Sequence, residues 1–70
     1  MPNLFTIFDQ TTLQSLEGWI PAHPQRMYVF SQDPLFMSRE EADFALADLK
    51  RQYPDHTFTV KPVINDNLPN

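Results

Sequence analysis

The side chains that could carry chemistry in this chain are few and widely spaced. His23 and His56 are its two imidazoles, and only His56 has an acid beside it, Asp55. Metal sites draw on several His, Cys, Asp or Glu at short, regular spacings, and two distant histidines with one carboxylate do not supply them. His56 follows a helix, where a polar group helps cap the last carbonyls, and His23 lies between two prolines, so both are expected at the surface. No metal or cofactor is expected. Ser15, Ser31 and Ser38 are the available hydroxyl nucleophiles of the serine type, and none lies in a Gly-x-Ser-x-Gly elbow. Gly18 is the single glycine, which excludes the glycine-rich loops that cradle phosphates.

These residues must be positioned by one small domain. Seventy residues cannot support two cores. With 41% apolar residues and nine aromatics (one Trp, two Tyr, six Phe), one compact core is within reach. The chain has no cysteine, so no disulfide braces that core. A domain of this size holds only about 3–5 kcal/mol in reserve. Association with a partner or with itself would therefore help it.

Residues 4–8, Leu-Phe-Thr-Ile-Phe, favour a strand. Thr11 followed by Gln14 fits a capping box, with Gly18 as a stop, so residues 11–17 are either a short helix or an irregular extended segment. Pro21 and Pro24 mark a loop anchored by Trp19 and Ile20. Met27–Phe30 is apolar on both faces, as expected of a central strand covered on both sides. Ser31-Gln-Asp-Pro34 is turn chemistry, and Leu35–Met37 is a candidate hairpin arm against that strand.

The helix signal over residues 38–53 is the clearest in the chain. Ser38-Arg-Glu-Glu41 is a capping box, and Met37 and Ala42 occupy staple positions. Acidic residues open the segment and Lys50 and Arg51 close it, as the helix dipole favours. Ala42, Ala45, Leu46, Leu49 and Tyr53 recur at helical spacing, and Pro54 stops the run. Thr57–Val60 alternates as a last strand with Phe58 and Val60 inward, and Pro62 either confines it to an edge or ends it. The expected fold is α+β, a three- or four-stranded sheet with one long helix on one face. Residues 1–64 form the domain and 65–70 a flexible tail.

Phe44 stands apart from this pattern. At about 100° per residue it falls opposite the Ala42, Leu46 and Leu49 stripe, among Glu40, Ala47 and Arg51. An aromatic ringed by charge on a solvated face has the form of a protein-binding hot spot. It is equally the position of an isolated exposed apolar residue, or of one covered by the N-terminal segment or the tail. Together with Trp19 and an exposed edge strand, Phe44, Glu40, Ala47 and Arg51 are the candidate partner-binding residues.

Net charge is −4, and the five basic residues (Arg26, Arg39, Lys50, Arg51 and Lys61) are scattered. Direct nucleic-acid binding and attachment to anionic membranes both need clustered cations. Glu40, Glu41, Asp43 and Asp48 could imitate a phosphate backbone, yet they spread around the helix as solubilising charges do. No cationic stretch precedes an apolar run and no apolar segment approaches the ~20 residues of a membrane span, so a cytoplasmic location is expected.

One catalytic possibility rests on Pro2. Removal of Met1 would expose its secondary amine as a base or nucleophile. In Pro2 and the strand after it, the chain resembles the small tautomerases of the oxalocrotonate type, which have about this length. That resemblance implies enol–keto conversion at Pro2. The family continues into a long helix with cations that hold a dicarboxylate. Here Pro21 and Pro24 break the equivalent stretch, and no arginine precedes Arg26. The expectation that leads is a small non-catalytic protein-binding module, with a self-assembling subunit as its variant.

Overall fold

Asp9 decides how the first half of the chain folds. The computed structural model describes residues 3–63. Strand β1 (Phe5–Asp9) ends on this carboxylate, whose Oδ1 accepts the amides of Thr11 (2.9 Å) and Thr12 (3.4 Å). An aspartate that holds the two amides ahead of it turns the chain. Leu13 then adopts a positive φ of 62°, and its amide donates to the Asp9 carbonyl at 2.8 Å. The chain reverses into β2 (Gln14–Ile20), which pairs antiparallel with β1 through Phe8–Ser15 and Asp9–Gln14.

The short helix considered for residues 11–17 is therefore absent. Its capping residue is spent elsewhere, since the Thr11 hydroxyl accepts the Thr57 amide at 3.0 Å. Gly18 lies inside a strand and stops no helix; Trp19 and Ile20 end β2 ahead of the loop, and of the two Trp19 packs on the core while Ile20 is exposed.

β3 (Met27–Ser31) pairs with β2, and β4 (Phe58–Pro62) pairs with β1, giving the antiparallel order β3-β2-β1-β4. Pro62 ends the edge strand β4, as its missing amide requires. Met27–Ser31 forms the opposite edge, not a covered central strand. Helix α1 (Arg39–Gln52) packs on β1 and β4, so Met27 and Val29 stay exposed on the other face. An apolar pattern on both faces marked what the strand could bury, not what covers it.

β1 and β2 part company beyond their first two pairs, and residues 35–37 fill the gap. The Leu35 amide donates to the Leu16 carbonyl at 2.8 Å. Phe5 and Met37 exchange both backbone bonds, at 2.7 and 2.8 Å. This segment thus pairs with β1 and β2, and not with Met27–Phe30 as expected of a hairpin arm.

α1 starts at Ser38, whose hydroxyl accepts the Glu41 amide at 3.2 Å and faces the Glu41 carboxylate at 3.3 Å. It ends with the Tyr53 amide on the Leu49 carbonyl, immediately before Pro54. Ala42, Ala45 and Leu49 are fully buried against Ile7, Leu16, Tyr28 and Met37. The two alanines let the helix lie close to the sheet. Phe30, Tyr53 and Phe58 close one end of this core, with ring centroids 6.1–6.4 Å apart. Among the described residues no helix is long and apolar enough to cross a membrane.

Candidate binding surface

A single extra residue in β2 sets up the site. Leu16 pairs with Phe30 and Gly18 with Val29, which leaves Glu17 as a bulge. Side chains alternate along a strand, so one inserted residue exchanges the faces of everything beyond it. Trp19 consequently points to the helix side, opposite Tyr28 with ring centroids 5.9 Å apart, and Ile20 points away.

The loop after β2 returns at Arg26, whose carbonyl accepts the Gln52 side-chain amide at 3.1 Å. That bond ties the loop to the last turn of α1. The Arg26 guanidinium then lies 4.6 Å from the Trp19 ring centroid and 4.7 Å from that of Phe44. One cation thus joins an aromatic of the sheet to an aromatic of the helix. Such a contact contributes about 0.5–1 kcal/mol at an exposed site. Phe44 keeps 56% of its surface exposed.

Beside this stack lies a cleft of about 420 Å³, with Ala22, Pro24, Gln25 and Arg26 on one wall and Phe44, Asp48 and Arg51 on the other. Asp48 was expected among the solvated helix charges. It is only 7% exposed, and its carboxylate accepts the Tyr28 hydroxyl at 2.7 Å while pairing with Arg51. Burial of this carboxylate is tolerable because both its oxygens are satisfied. Of the three arginines, Arg39 pairs with Asp43 at 3.3 Å and Arg51 with Asp48. Arg26 has no carboxylate partner among the described residues.

The structure therefore brings Phe44, Trp19 and Arg51 together. Glu40 and Ala47 are exposed on the same helix and lie outside the cleft walls. The residue missed in the sequence is Arg26, the link between Trp19 and Phe44. Its position directly before an apolar strand and after a proline-rich loop was the available signal.

A second cluster sits near the far end of β1. His56 Nδ1 lies 2.8 Å from Asp9 Oδ2, and Asp9 is 1% exposed. Burial alone would raise the Asp9 pKa. The bonds from His56 and from the Thr11 and Thr12 amides outweigh it and hold the carboxyl below its ordinary value. His56 is thus a partly buried partner of Asp9, not a surface side chain capping helix carbonyls. Its backbone amide does meet the Tyr53 carbonyl at 3.0 Å. No hydroxyl among the described residues hydrogen-bonds to His56, and none of the described residues form a metal-ligating group of three. The pair fastens the β1–β2 turn to the loop that leads into β4. Pro2 and the 65–70 segment lie outside the described residues. No protein-family model, curated protein or solved structure matches this chain.

Proposed function

We propose that this protein is a non-catalytic binding module of the cytoplasm, and that it grips another protein through the surface formed by Phe44, Arg26 and Trp19. The observation that carries this reading is the Arg26 guanidinium held between two aromatic rings, one of them half-exposed. Tyr, Trp, Phe and Arg are the residues that concentrate binding energy in protein interfaces. Here the arginine is fixed by its ring neighbours and by Gln52, so little conformational freedom is lost when a partner docks.

The adjoining cleft supports the same reading. Arg26 and Arg51 line it, and planar guanidinium groups suit carboxylate or carbonyl acceptors on a partner. Glu40 and Ala47 extend the surface along α1. A net charge of −4 favours a protein partner over direct contact with nucleic acid or an anionic membrane.

The test is retention of host proteins by the immobilised wild type compared with Phe44→Glu, with circular dichroism and melting recorded for both. A glutamate at this exposed position should leave the fold intact. A stoichiometric partner held by the wild type and lost by the folded variant supports the proposal. Equal retention by both removes Phe44 from the interface, and loss of folding makes Phe44 a core residue.

A further inference from the structure

We infer that two copies of this chain pair through the free edge of β3, antiparallel and centred on Val29. The two margins of the sheet differ in kind. β4 carries Lys61 and Pro62, the charge and the missing donor with which proteins keep an edge from pairing. β3 reads Met-Tyr-Val-Phe-Ser and contains neither a charge nor a proline. Its only irregularity, the bulge at Glu17, belongs to β2. Among the described residues no strand pairs with its outer side. An uncharged strand of five residues with unpaired backbone groups is a template for another strand.

The side chains favour a second copy as the occupant. Met27 and Val29 are exposed on the face away from α1, beside exposed Ile20. Val29 faces Gly18, where a Cβ would meet nothing within 4 Å, so nothing overhangs this patch. Antiparallel pairing about Val29 sets Val29 against its copy, Met27 against Ser31 and Tyr28 against Phe30. Residues directly opposite share a face, so the exposed apolar patches of the two copies merge into one. Arg26 precedes the strand and Asp33 follows it. A two-fold arrangement therefore puts one residue of each sign near either end of the seam, with the Arg26 guanidinium itself turned to the helix face between Trp19 and Phe44. In a chain of net charge −4, this uncharged edge is where self-association meets least repulsion. A seam of five residues from each copy is short against the roughly 1,200–2,000 Å² that stable interfaces bury, so pairing should rise with concentration.

Sedimentation velocity of the full chain over a wide concentration range tests this, alongside Val29→Lys and Phe44→Glu. The wild type and Phe44→Glu should shift from monomer to dimer together. Val29→Lys opposes two cations at the two-fold and should weaken pairing about tenfold or more. Amide exchange on the wild type is the second measurement, because it needs no variant to fold. Alternate β3 amides should gain protection as concentration rises, with β4 amides unchanged. A wild type that stays monomeric throughout overturns the proposal. So does a dimer that survives Val29→Lys or that protects β4 in place of β3. A dimer lost in folded Phe44→Glu and kept in Val29→Lys would assign self-association to the helix face. Retention of host partners is read separately, so either proposal can fail without the other.

Discussion

Replacing His56 by alanine should weaken this fold and make it more sensitive to acid. The substitution removes the 2.8 Å bond to Asp9 Oδ2 and leaves a carboxylate that is 1% exposed with only the Thr11 and Thr12 amides. Hydrogen bonds to charged groups contribute about 1.5–3 kcal/mol, and the partial exposure of His56 favours the lower end. A loss of about 1.5 kcal/mol is a large part of the roughly 3–5 kcal/mol that a domain of this size holds. It should lower the melting temperature by roughly 6–12 °C.

The pH dependence has a definite sign. Folded Asp9 binds its proton less readily than the unfolded chain, whose carboxyl titrates near 3.8. Its contribution is complete above that value and is lost as pH falls through the lower folded pKa. Without His56, burial is opposed by the Thr11 and Thr12 bonds alone. The Asp9 pKa then rises, and acid unfolding begins at a higher pH. Urea unfolding of the wild type and His56→Ala, followed by circular dichroism from neutral to acid pH, measures both effects. Stability within a few tenths of a kcal/mol at neutral pH, with the same acid midpoint, would refute the assigned role of this pair.

Two further substitutions probe other parts of the fold. Tyr28→Phe removes the hydroxyl bonded to Asp48 and leaves that buried carboxylate with Arg51, which should cost about 1–2 kcal/mol in urea unfolding. No loss would mean that water replaces the hydroxyl without penalty. Leu13→Gly relieves a φ of 62° at a residue that is 66% exposed, so little burial is lost. Relief of about 1–2 kcal/mol, offset by glycine's greater freedom when unfolded, should leave a net gain of about 0.5–1 kcal/mol. A lower melting temperature would show that Leu13 contributes more by packing than its exposure indicates.

The comparison of Tyr28, Asp48 and His56 shows where sequence reading loses its grip. Each makes its decisive contact with a residue at least 20 positions away, Tyr28 with Asp48 and His56 with Asp9. Asp48 and Asp43, five residues earlier on the same helix, are the same residue type; Asp43 is solvated beside Arg39, whereas Asp48 is buried on the Tyr28 hydroxyl beneath it. Similarly, Thr11 and Gln14 satisfy a helix-capping pattern that Asp9 and Thr57 override. The bulge at Glu17, which turns Trp19 toward Arg26, is a matter of register between two strands and has no local signature.

By itself the sequence determined α1, from its Ser38 cap to its stop at Pro54, and a last strand that runs no further than Pro62. It also singled out Phe44 as the aromatic on the outer helix face. These are local matters, set by hydrogen bonds within a few residues and by periodicity along one element. Only the tertiary structure decided that β3 is the other edge, that Asp9 and Asp48 are buried with partners, and that Arg26 joins Trp19 to Phe44. Those features depend on which surfaces meet when the sheet forms, and meeting is a property of the whole chain.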